Sequence, residues 1–265
     1  MVPFSWENPR HLHRNRLPSR AYFFHAPPGK AVLPLERELS PWVLNLGGAW
    51  DFVLRDTPLD DPFGFGTTWP SVADDTGPEE DRPQLVPVPS VWQTYTDDRP
   101  HYTNVQYPFP LDPPRVPSEN PTGYFSCRFL VPEGWAGMRK VLRFEGVDSC
   151  FTVWLNGVEI GSSKGSRLPA EFDVTEAITD AEENVLAVKV VKWSDASYLE
   201  DQDMWWLSGI FRDVLLQAVP ATSIRDFFAR ATLADGGKGV LELDAEFEGA
   251  TDGDALVASL LDPSG

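Results

Sequence analysis

Phe151-Thr-Val-Trp-Leu155, Asn156-Gly157, Val158-Glu-Ile160 is the stretch whose reading decides the fold. Two alternating apolar runs flank Asn-Gly, the dipeptide that supplies the two positive-φ residues of a type I′ turn. The spacing predicts a β-hairpin. Working outward, Tyr124 to Val131 reads as a strand with Phe125, Cys127, Phe129 and Val131 facing the core. Lys140 to Glu145, Val185 to Val191 (Leu186, Val188 and Val190 on one face) and Phe211 to Val219 read the same way. Leu46-Gly47-Gly48 opens a further strand with Trp50, Phe52 and Leu54 on one side. The prolines in Leu85 to Trp92 restrict that short stretch to a sheet edge or a loop. Phe172 to Thr175, with the polar Thr179 to Asn184, reads as a turn or a short helix. Strands so spaced, with no helix long enough for βαβ units, argue a two-sheet antiparallel sandwich.

Past Pro220 the strand candidates are Ile224 to Leu233, Val240 to Phe247 and Leu256 to Leu261, too few to close a sandwich. At the other end, Met1 to Leu46 carries prolines at 3, 9, 18, 27, 28, 34 and 41 and has no sustained period, as an extended arm would. Among 265 residues, 40 acids oppose 22 bases for a net charge of −18, leaving no basic field for nucleic acid or an anionic membrane. No apolar run approaches the roughly 18 residues of a membrane span. Met1 to Arg20 lacks the apolar run of a leader peptide. Cys127 and Cys150 lie in strand patterns and are expected as buried thiols in a reducing compartment. These readings together suggest a soluble, cytoplasmic protein.

One loop concentrates chemistry. Between two strand patterns, Trp193 to Asp213 gathers Asp195, Glu200, Asp201 and Asp203 with Trp193, Trp205 and Trp206. Carboxylates accept from sugar hydroxyls or ligate a hard cation, and flat rings stack on pyranose faces. The tryptophans, with Tyr102 and Trp92, are expected in core or interdomain packing, and Glu200 and Asp201 in structural roles. The proline-rich stretch Asn104 to Gly123 is expected to be a rigid loop with a functional reason for its length. The histidines lack zinc spacing.

Trp6-Glu-Asn-Pro9, Asn104-Val-Gln-Tyr-Pro, Ser118-Glu-Asn-Pro-Thr-Gly123, Ser166-Arg-Leu-Pro-Ala-Glu-Phe172 and Tyr198-Leu-Glu-Asp-Gln-Asp-Met-Trp205 carry a resemblance. Together they resemble the N-terminal part of the glycoside hydrolase family 2 β-galactosidases. Gly146 to Gly157 is similar to the sugar-binding domain of the whole family, β-glucuronidases and β-mannosidases included.

The resemblance implies an all-β chain: an arm over 1–46, a jelly-roll sugar-binding domain over 47–220, and over 221–265 the beginning of an immunoglobulin-like sandwich. The catalytic barrel, with the two glutamates of a retaining mechanism and most of the magnesium chemistry, is expected outside this chain. By the same resemblance Asn104 bonds galactose hydroxyls, Val105 packs beside it, and Asp203 bonds the sugar and ligates sodium. A structural magnesium near Asn8 and Asp195 is implied in members with Asp before Trp-Glu-Asn-Pro. Here Ser5 and Lys164 replace ligands, and the Lys164 ammonium is expected to substitute for the ion by pairing with Asp195. The implied partners are a β-galactoside, the rest of the enzyme and further copies in a homo-oligomer. A free-standing carbohydrate-binding module and a purely structural domain that builds oligomer contacts are the competing readings.

Overall fold

The computed structural model describes residues 4–30, 34–67 and 78–260. Asn156 and Gly157 have φ of 50° and 80°, as a type I′ turn requires, and join strands Cys150–Leu155 and Val158–Lys164. The Asn156 side chain fixes the turn to the neighbouring strand. Its Oδ1 accepts from the Val185 amide at 2.9 Å and its Nδ2 donates to Asn184 Oδ1 at 2.8 Å.

That hairpin is part of a seven-stranded antiparallel sheet in the spatial order His13–Arg14, Val158–Lys164, Cys150–Leu155, Asn184–Val191, Thr122–Phe129, Gly48–Arg55, Gln84–Val88. A four-stranded antiparallel sheet follows the order Ala170–Asp173, Arg139–Phe144, Val214–Val219, Val43–Asn45. One buried cluster draws on both sheets, including Phe52, Phe125, Phe151 and Leu186 from the first and Leu142, Phe172 and Leu216 from the second. The alternation read in the sequence thus becomes the inner faces of a sandwich. Cys127 and Cys150 are free and buried within it.

Three local readings change. Ala170–Asp173 is a strand rather than a turn or short helix. Its alternation is hidden because Glu171 is buried too, on the outer face, where Arg20 and Arg143 bond its carboxylate at 2.7–2.9 Å. The arm is extended, but Val43–Asn45 within it pairs with Val214–Val219, so the second sheet starts before residue 46. Leu256 to Leu260 forms no strand, and Leu261 lies outside the described residues. Among the described residues the unit after Pro220 is a single hairpin, Ser223–Leu233 with Gly239–Glu248. The acidic loop after Arg55 is tied to the first sheet. Asp81 is buried on Arg55, whereas Asp74 and Asp75 lie outside the described residues.

Gln84–Val88 is an edge strand, which is where Pro87 costs no ladder bond. Gly123 starts the packing that leads to the site. A Cβ there would stand 2.8 Å from the Trp92 ring and 2.9 Å from Phe125, closer than real contacts allow. Its absence lets Trp92 lie beneath the proline-rich loop.

Candidate functional site

Two short segments from distant parts of the chain build the site. His101–Thr103 and Met204–Trp206 pair as an antiparallel ribbon with Met204 opposite Thr103, Trp205 opposite Tyr102 and Trp206 opposite His101. Asn104 directly follows and Asp203 directly precedes the end pair, Thr103 and Met204. Direct partners share a face and faces alternate along a strand. Tyr102 and Trp205 therefore occupy one face, and Thr103 and Trp206 the other. The Tyr102 hydroxyl donates to Asp203 Oδ1, and this bond, more than its other surroundings, raises the tyrosine above its ordinary range. Asn104, Val105 and Asp203 are all exposed. The three residues expected to grip substrate adjoin the same end of the ribbon, Asn104 and Val105 on one strand and Asp203 on the other.

The opposite face is anchored. Trp206 donates from Nε1 to Thr103 Oγ1 at 2.6 Å and packs with Trp193 and Phe109 in a second buried cluster, joined by Tyr107, Val116 and Tyr198. Trp193, Trp206 and Trp92 are core residues as expected; Trp205 and Tyr102 are not buried within this chain, at 56% and 53% exposure, which leaves interdomain packing as the part of the expectation that applies to them. The reason is the ribbon's alternation: a strand pair one layer thick can bury only one of its faces.

Below the ribbon lie polar ties that the sequence reading did not single out. The buried Asn120 amide pairs with the Trp193 backbone as a strand would, donating to its carbonyl at 2.9 Å and accepting from its N–H at 2.8 Å. This tie couples the Glu-Asn-Pro-Thr-Gly loop to the start of the acidic loop. Lys192, 2% exposed, places Nζ 2.6 and 2.8 Å from the two oxygens of Asp98. Asp98 also accepts from Trp92 Nε1 at 2.7 Å and Gln93 Nε2 at 2.9 Å, and Gln93 in turn accepts from the Ser208 amide at 3.0 Å. Burial pushes the Lys192 ammonium below the usual lysine range against the pull of Asp98. The available signal was Lys192 falling in step with the inward-facing Leu186, Val188 and Val190.

Arg167 bridges the sandwich to the ribbon, donating to the buried Asp148 at 2.8 Å and lying 3.7 Å from Met204 Sδ. Burial pushes Asp148 up to about 6, opposed by Arg167. Glu200 is structural, accepting from the Ser166 amide at 2.8 Å and its hydroxyl at 2.6 Å. Asp201 accepts weakly from Thr103 Oγ1 at 3.4 Å.

Lys164 joins the arm to the loop. Its Nζ bonds Asp195 and donates to the Asn8 carbonyl at 3.2 Å, with both charged side chains under 10% exposed. Asn8 Oδ1 is turned toward its own chain, accepting from the Arg10 amide at 3.1 Å. A divalent ion here would lie against a fixed positive charge, so these residues do not fit the magnesium that the resemblance implies. Melting of the chain is accordingly expected to be insensitive to EDTA, whereas Lys164→Met leaves Asp195 buried and unpaired and lowers the melting temperature. A clear fall of the wild-type melting temperature in EDTA would contradict this.

The family model for the sugar binding domain of glycosyl hydrolases family 2 matches residues 43–220. The chain belongs to this family. Its curated relatives include β-galactosidases from Arthrobacter sp. strain B7 (46% identical over 214 residues, 77% of this chain and 21% of the relative) and Alteromonas mediterranea (44% over 233 residues, 86% and 21%). Another is the β-galactosidase of Kluyveromyces lactis, 39% identical over 240 residues, 89% of this chain and 21% of the relative. The chain spans about a fifth of the length of these relatives.

Solved structures of the same architecture include a β-glucuronidase from Ruminococcus gnavus in complex with uronic deoxynojirimycin. It has TM-score 0.58 at 20% identity over 78% of this chain and 34% of that one. An uncultured Clostridium sp. β-glucuronidase has TM-score 0.54 at 27% identity, covering 77% and 33%. The family 2 sandwich is thus the fold.

Proposed function

We propose that this chain is the substrate-gripping N-terminal part of a retaining β-galactosidase that hydrolyses terminal β-D-galactosides such as lactose. The observation that supports the reading is the ribbon, whose end pair Thr103 and Met204 is flanked by the exposed Asn104 and Asp203, with Val105 next in the chain. An amide and a carboxylate so placed offer donors and acceptors to the hydroxyls of one sugar ring. The galactosidase relatives at 39–48% identity favour this reading over a glucuronidase one.

Asp203 fits a sodium ion as one hard oxygen ligand: it is exposed, and its bond from the Tyr102 hydroxyl engages Oδ1. No cluster of three or more His, Cys, Asp or Glu suited to a metal occurs among the described residues, so the ion draws its other ligands from elsewhere. The ion's charge would help to hold a sugar hydroxyl. The acid/base and nucleophile carboxylates of a retaining glycosidase, and the magnesium that supports them, are assigned to the rest of the enzyme. The grip acts by positioning, so its loss lowers turnover as well as affinity. The free, buried thiols support a cytoplasmic setting.

The complete enzyme is expected to hydrolyse nitrophenyl β-galactoside, and purified chain 1–265 alone to have no turnover. Preference of the complete enzyme for a glucuronide, or galactose binding by an enzyme without hydrolytic activity, would replace this reading with another family 2 glycosidase or a carbohydrate-binding module.

A further inference from the structure

Tyr102 and Trp205 share one ribbon face, two positions along each strand from Asn104 and Asp203, a rise of roughly 7 Å, and the Tyr102 hydroxyl reaches Asp203. They are direct cross-strand partners, with ring centroids 5.6 Å apart and planes inclined by 49°. Both remain more than half exposed, whereas Trp50, Trp92, Trp135, Trp193 and Trp206 are buried. The Tyr102 hydroxyl is held by Asp203, which fixes the phenol edge toward the carboxylate. The ribbon's other face is sealed by Trp206 and its neighbours, so the pair cannot turn inward without displacing that cluster.

Two large rings in water beside a carboxylate and an amide make an amphipathic surface suited to a substrate with a polar ring at one end and an apolar ring face at the other. The faces of Tyr and Trp are electron-rich and attract the polarised C–H groups of a pyranose or the edge of an aryl ring.

We infer that Tyr102 and Trp205 form the stacking surface for the ring of the leaving group, one step along the ribbon from the galactose held by Asn104 and Asp203. The inference rests on the proposed function and adds to it a determinant of aglycone preference. It predicts that substrates are distinguished by whether their leaving group has a ring.

The test compares two substrates of the complete enzyme that share galactose and differ in the leaving group: nitrophenyl β-galactoside and β-galactosyl fluoride, which has no ring to stack. Trp205→Ala is expected to lower kcat/KM for the nitrophenyl substrate roughly threefold to tenfold, the range of one aromatic contact, and to leave the fluoride within about twofold of wild type. Trp205→Phe, which keeps a ring and guards against loss of folding, should recover most of the difference. Equal losses on both substrates would assign Trp205 to packing and overturn the inference while leaving the proposed function standing. Unchanged kcat/KM for both would also overturn it. A wild-type enzyme inactive on both galactosides would remove the proposed function and this inference together.

Discussion

Asp203→Asn is expected to lower kcat/KM for a galactoside on the order of 100-fold and to flatten the enzyme's response to sodium. The size follows from the hydrogen bond of a charged group, about 1.5–3 kcal/mol, with each 1.4 kcal/mol worth a factor of ten. The substitution is nearly isosteric, and Asp203 is exposed, so folding has little stake in its charge. Tyr102 can still donate to the amide oxygen, which keeps the ribbon intact and confines the loss to the site. Asp201→Asn is the internal comparison. Its single contact is the 3.4 Å approach of Thr103 Oγ1, and its effect should be within a few-fold. An unchanged sodium response in Asp203→Asn would remove the ion from this carboxylate. Equal losses in the two variants would mean that general acidity of the loop, rather than one residue, holds the substrate.

Asp98→Ala should be the most destabilising single change near the site. It leaves the Lys192 ammonium, 2% exposed, without its counter-charge, and deprives Trp92 Nε1 and Gln93 Nε2 of their acceptor. Breaking a buried pair from one side costs about 3–5 kcal/mol, a fall in melting temperature on the order of 10 °C for a domain this large. Because Asp98 stands three residues before His101, the ribbon should loosen with it and KM should rise. The double variant Asp98→Ala/Lys192→Met should recover a large part of the stability, since the buried charge is then gone too. A drop below about 2 °C in the single variant, or no recovery in the double, would show that the pair carries little of the site's rigidity.

The sandwich was legible because its strands alternate apolar and polar residues over six to eight positions and because Asn156-Gly157 satisfies a backbone requirement few dipeptides meet. Where alternation failed, the cause was a buried charge. Glu171 looks like a solvent residue until Arg20, from the arm, and Arg143, from the adjacent strand, close over it. The reverse error came from Leu256 to Leu260, apolar enough for a strand yet unpaired in any sheet among the described residues.

The site was far less legible from pattern alone. Each ribbon strand is three residues long, too short to show a period, and its partners stand about a hundred positions apart in the chain. Asn104 and Asp203 emerged through motif resemblance. That they adjoin one end of the ribbon that pairs Tyr102 with Trp205 required the register. The pairing of Lys164 with Asp195 was readable in advance, since an ammonium standing where the resemblance implies a neutral ligand is a change of charge, and charge survives in sequence. Asn120, whose amide imitates a strand partner for Trp193, shows no such mark.

The most direct measurement is a crystal structure of the complete enzyme with galactose bound. The account predicts sugar hydroxyls within hydrogen-bond distance of the Asp203 carboxylate and the Asn104 amide. Galactose seated in the enzyme's active site with the ribbon turned away from it, touching neither residue, would contradict the account.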